Sequence, residues 1–270
     1  MTTVADVSAA AETLWPLSGA EAWDAPGLLS GDPAGEVTRV LLAVDAVVET
    51  VDEAVALNAQ MLLVHHPLLM RGVTTVSEST AKGALLARLI RGGCALYSAH
   101  TNADIVATGT SARLASLLGL TDALPIVETA PGVGLGRVGA LPEPTTLGVL
   151  ARRLASILPP TATGIRVAGQ FDRPVSRVAV CGGAGDSLLG ESAVRSADAY
   201  VTADLRHHPA SEAVETARVA GGPALIDVSH WASEWLWLET AADELRSALP
   251  GVEVVVSELR TDPWDFMVVQ

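Results

Sequence analysis

Short apolar runs alternate along this chain with segments whose apolar positions recur every three or four residues. RVLLAVDAV, from Arg39, predicts a buried strand. ETVDEAVALNAQ predicts a helix, with Thr50 and Glu53 at capping-box spacing. MLLV (61–64) predicts a strand, GALLARLIRGG from Gly83 a helix with its glycine stop, CALYSA (94–99) a strand, and TSARLASLLGL from Thr110 a helix. This strand–helix rhythm predicts an α/β fold with a largely parallel sheet.

After Leu124-Pro125 the pattern changes. APGVGLGRVGALPEPTT is rich in glycine and proline and reads as the lead-in to a second unit. Beyond it the pattern predicts a helix near 146–158, strands at IRVAG (165–169) and RVAVCGG, a helix through SLLGESAVRSA and a strand AYVT (199–202). A helix over about 209–219, a strand ALIDV (224–228), a long helix over about 230–249 and a strand VEVVVSEL (252–259) complete the prediction. The stretch from Arg39 to Met61 and that from Arg177 to Ala199 both read strand–helix–strand with the same spacing, which suggests two diverged copies.

Composition narrows the function. Acids outnumber bases by 31 to 17, giving a formal charge of −14, and Lys82 is the one lysine, so phosphate neutralisation on nucleic acid is disfavoured. The two cysteines, Cys94 and Cys181, sit in apolar runs and read as buried free thiols. The N-terminal stretch lacks the charged and apolar regions of a signal peptide, and no uncharged apolar run is long enough to span a membrane. A cytoplasmic location is expected.

The six histidines are clustered. MLLV is followed by His65 and His66, CALYSA by His100, and ALIDVS by His230. In an open α/β sheet the carboxyl ends of strands form the ligand-binding crevice. Asp104 lies four residues after His100, and Glu234 four after His230, where a helix would project both side chains to one face. Singly, each group also reads as a hydrogen-bonded strand-end histidine. Together they offer more ligands than one catalytic ion takes and suit two. Imidazole and carboxylate without thiolate favour Zn, Fe, Mn or Co. The second HHP, at His207 and His208, follows TADLR and reads as a helix start or a subunit contact; CGGAG (181–185) reads as a tight turn rather than a phosphate cradle.

In order, the segments VHHPLLM, YSAHTNAD, VAVCGGAGDSLL, AYVTADLRHH and SHWASEW closely resemble those of the Nif-three-like family, members of which are called GTP cyclohydrolase I type 2 homologues. The resemblance runs from about Pro16 to the end. It implies two similar α/β lobes with mixed, largely parallel sheets, one from 1–127 with 225–270 and the other from 128–224. It also implies a homohexameric ring with two divalent metal ions per chain. The family's ligand pattern falls on His65, His66, Asp104, His230 and Glu234, with Glu234 bridging. His100 takes a place in the same site as a further ligand or proton-handling group. His208, rather than His207, matches the histidine of the second lobe. Ser229, Ala203 and Ala103 depart from the family's usual residues, but none of these removes a ligand. The implied activity is metal-dependent hydrolysis of a nucleotide or related small molecule. The alternative is a non-catalytic metal-binding ring that acts as a scaffold or regulator.

Overall fold

The computed structural model describes residues 1–269, and the short apolar runs become strands of two separate sheets. Contacts divide the chain into two units, Met1–Ala103 with Leu238–Thr261, and Asp104–Trp237 with the chain from Asp262 onward.

In the first unit, β1 (Gly27–Ser30), β2 (Arg39–Ala43), β3 (Met61–Val64) and β4 (Ala95–Ser98) join β13 (Glu253–Val256) in the order β1-β4-β3-β2-β13. Only β1 is antiparallel to its neighbour. β3 and β4 are buried along their whole length, as continuous apolar runs in a parallel sheet should be. Helices α1 (Val4–Leu14), α2 (Val48–Ala56), α3 (Ala81–Arg91) and α10 (Leu238–Ala248) belong to this unit, and the single turn α4 (Thr101–Asp104) leads out of it. Leu41, Val51, Leu62, Leu89 and Leu96 form part of its core.

In the second unit, β5 (Thr121–Leu124), β8 (Arg137–Thr146), β9 (Arg166–Ala168), β10 (Pro174–Ala184), β11 (Ala199–Ala203) and β12 (Ala224–Val228) form a sheet ordered β5-β8-β10-β11-β12-β9. β6 (Val127–Ala130) and β7 (Val133–Leu135) make a hairpin. The helices are α5 (Thr110–Leu117), α6 (Leu147–Ile157), α7 (Ser192–Arg195), α8 (His207–Ala220) and α9 (His230–Trp235). Val138, Ala179, Tyr200 and Leu225 lie in its core.

Both sheets are mixed, as expected; in the second, β10, β11 and β12 run parallel, and β5, β8 and β9 pair antiparallel. Several elements differ from the sequence reading. The units part at 103/104, 237/238 and 261/262 rather than at 127/128 and 224/225, because β5 and β12 are strands of the second sheet. The segment SLLGESAVRSA is a 3-10 turn, Asp186–Leu188, followed by the short α7. The long helix expected over 230–249 is two helices, α9 and α10, broken at the unit boundary. Helix α2 starts at Val48, so Thr50 is not its N-cap; the Thr50 hydroxyl accepts from the Val47 N–H and donates to the Asp45 carbonyl.

The sheets repeat one connectivity. Read from its antiparallel edge, β1-β4-β3-β2 has the same sequence of strand directions as β9-β12-β11-β10. The sheets diverge at the next strand, which is β13, parallel, in the first unit and β8, antiparallel, in the second.

Candidate functional site

The first unit gathers three histidines at the carboxyl ends of β3 and β4. The ladder continues past β3, where the N–H groups of His65 and His66 donate to the carbonyls of Ala43 and Val44, so the backbone of both residues is fixed to the sheet. The rings of His65, His66 and His100 have centroids 5.0, 5.1 and 5.4 Å apart. One ligand nitrogen from each lies within 4.8 Å of those of the others.

Each ring is held at Nδ1. His65, fully buried, bonds the Ala99 carbonyl at 2.8 Å. His66 bonds Asp45 Oδ1 at 2.7 Å, and the second oxygen of Asp45 accepts from the Thr261 hydroxyl. His100 bonds Asp24 Oδ1 at 2.8 Å. Asp24 also accepts from the Thr101 N–H and hydroxyl and from the Ala25 N–H. Burial alone would raise the Asp24 carboxyl, but His100 and Thr101 outweigh it and hold it below its usual range. A carbonyl or an ionised carboxylate only accepts, so Nδ1 donates in all three rings and Nε2 is left as the ligand nitrogen. Trp23, mostly exposed, stands edge-on to His100 at 5.9 Å.

The second unit, taken by itself, holds Asp104, His230 and Glu234. α4 begins directly after His100 and ends on Asp104, whose Oδ1 accepts from the Thr110 hydroxyl. The segment after Asp104 is pinned by Arg137, a buried guanidinium that donates to the carbonyls of Val106, Gly134 and Gly136. His230 opens α9, capped by Ser229, which accepts from the Ala232 N–H and donates to Asp262. One turn on, Glu234 is buried with Oε1 at 3.0 Å from His230 Nε2, and His230 Nδ1 bonds Asp204 Oδ2 at 2.8 Å. Burial works against charge on His230, but Glu234 and then Asp204 prevail and push it up to about 11. Two donors on one cation at about 2.0–2.2 Å stand roughly 3 Å apart, which the His230–Glu234 pair satisfies.

CGGAG serves this pair. Gly183 has φ +69°, and a Cβ there would lie 2.3 Å from Glu234 Oε1 and 3.3 Å from His230 Nε2. The loop is clamped on both sides: the Gly183 N–H donates to Ser233 Oγ, and its carbonyl accepts from the Thr202 hydroxyl. Sequence reasoning treated this stretch as a turn and missed Gly183, and it also missed Asp24, Asp45 and Asp204. A glycine pair between strand and helix was the only available signal for the first. His207 and His208 lie in the first turn of α8, exposed, with ring centroids 5.2 Å apart. Among the described residues neither joins a group of three potential ligands.

An α/β fold with imidazoles and carboxylates gathered at strand ends defines a class of proteins whose donor sets could hold a borderline divalent cation. The chain belongs to the Duf34/NIF3 (NGG1p interacting factor 3) family, whose model matches residues 2–263. It is 47% identical to the "GTP cyclohydrolase 1 type 2 homolog" of Streptomyces coelicolor over 98% of this chain and 94% of that one. Among solved structures it is similar to a Bacillus cereus protein related to NIF3, with TM-score 0.89 and 22% identity over 98% and 99% of the two chains. It is also similar to a Staphylococcus aureus hypothetical protein, with TM-score 0.88 and 26% identity over the same shares. No helix among the described residues is long and apolar enough to cross a membrane.

Proposed function

We propose that this protein binds two divalent metal ions through His65, His66, Asp104, His230 and Glu234, and that it is a metal-dependent hydrolase of a nucleotide or related small molecule. The observation that carries the reading is the convergence of His65, His66 and His100, each imidazole locked at Nδ1 by an oxygen at 2.7–2.8 Å. Histidines that ligate metals are held this way, and the second shell fixes both tautomer and orientation. The His230–Glu234 pair, at 3.0 Å, has the spacing of two ligands on one ion.

Bound divalent cations supply Lewis acidity and offset the charge of the surrounding carboxylates. The chain's own residues do the rest. His65 and His66 are fixed to the ladder and orient ligand nitrogens with little freedom to move. His100, whose Nδ1 bonds the buried carboxylate of Asp24, would carry a proton to a leaving group through Nε2. As ligands, Asp104 and Glu234 would bring negative charge to the cations. The homohexameric ring proposed with this activity follows from the family resemblance, and light scattering reads the assembly; the cytoplasmic setting follows from the sequence pattern alone.

Metal analysis of purified, metal-loaded protein tests the premise. Two ions per chain are expected, with fewer in Glu234→Ala and His65→Ala; a wild-type stoichiometry below two would sink the binuclear reading. An activity screen over nucleotides, phosphoesters and cyclic amides, with His65→Ala as control, then tests turnover. If nothing is hydrolysed by the loaded protein, the metal-binding scaffold replaces the hydrolase.

A further inference from the structure

The shared connectivity of the two sheets gives a residue-by-residue frame. In the first unit Val64 of β3 pairs with Ser98 of β4; in the second, Ala203 of β11 pairs with Val228 of β12. His100 follows Ser98 by two residues, and His230 follows Val228 by two. Each precedes or opens a short helix, and each is followed four residues later by a carboxylate, Asp104 or Glu234. In the same frame His65 directly follows Val64, and Asp204 directly follows Ala203. Asp204 therefore occupies the second unit's counterpart of a candidate ligand position.

We propose that Asp204 is the positioning residue of His230, the part Asp24 and Asp45 play for His100 and His66. Its Oδ2 lies 2.8 Å from His230 Nδ1, so that nitrogen donates and Nε2 is turned toward Glu234. Its backbone is left-handed, φ +56°, a conformation uncommon outside glycine, asparagine and aspartate. That conformation ends β11 and sets the carboxylate against the imidazole. With Asp204 included, all four histidines present the same ring nitrogen. The inference rests on the metal-binding reading above and adds to it a residue that touches no metal.

The test uses Asp204→Asn and Asp204→Gly, both of which tolerate a positive φ. The first keeps the shape without the charge, and the second removes the side chain. Zn²⁺ affinity is measured by competition with a chromophoric chelator, Co²⁺ loading by its visible spectrum, and the melting of metal-free protein in parallel. Asp186→Asn, which removes a carboxylate paired with Arg206 in the same unit, is the control. Asp204→Gly is expected to weaken Zn²⁺ binding about 10–100-fold, with a shifted Co²⁺ spectrum and a smaller loss in Asp204→Asn. Asp186→Asn should bind as wild type. Wild-type affinity in both Asp204 variants overturns the proposal while leaving the metal reading intact. So does a loss of binding that appears only where the metal-free variant has already unfolded. Failure of the wild type to bind Zn²⁺ removes the underlying reading, and this inference with it.

Discussion

At the residue scale, the absence of one carbon matters most at Gly183. Gly183→Ala would both strain a left-handed backbone and place a methyl against Glu234 Oε1. A loss of about 1–2 kcal/mol is expected from the backbone alone. Bound metal should fall below the wild-type value, as read by urea denaturation and metal analysis on the same sample. The cysteines make a second prediction. Burial pushes both Cys94 and Cys181 up to about 12, so almost no thiolate exists at pH 8. A thiol reagent at that pH should find no reactive group in the native protein and two after denaturation; rapid native labelling would contradict the burial. The strand-end histidines and their following carboxylates were legible in sequence, because each sits at a fixed offset from an apolar run. Asp24, Asp45 and Asp204 were not. They precede their histidines by 76, 21 and 26 residues, and only the folded sheets bring them into bonding range.

At the scale of elements, the buried strands were readable because they are short unbroken apolar runs, and β3 and β12 match their expected bounds. β8 was hidden by its prolines. Thr145 pairs with Val175 and Ala140 with Arg177, so Pro142 and Pro144 fall in the irregular stretch between, where no ladder N–H is required. The break between α9 and α10 was equally invisible: the apolar periodicity runs through it, yet each half packs on a different sheet, α9 on β10 and α10 on β13. Two predictions belong here. Thr3 and Asp6 form a reciprocal cap on α1, and Thr3→Ala should cost about 1 kcal/mol in denaturant unfolding. Arg137→Met should cost more, about 2–3 kcal/mol, since it strips the donor from several buried carbonyls. An unchanged unfolding midpoint in Arg137→Met would show that those carbonyls find other partners.

At the scale of the whole molecule, the net charge of −14 suits a protein that concentrates carboxylates near candidate cation ligands. Metal should therefore stabilise the fold by mass action, by about 2.7 kcal/mol when free metal exceeds its dissociation constant a hundredfold. Calorimetry with and without a chelator should show a lower melting temperature in the chelated sample, and coincident melts would argue against bound metal in the native state. The discontinuity of the first unit has a kinetic meaning as well. β13 must find β2 across 214 residues, as Glu253 and Arg39 show, and the main stretch of the second unit, Asp104–Trp237, lies within that interval. Closing so long a loop of unfolded chain is entropically costly and slow. A second unit that folds first, as one nearly continuous stretch, shortens the loop to be closed. The last strand of the first sheet is then the latest to dock, and during synthesis it leaves the ribosome after both partners of the strand–helix repeat are already made.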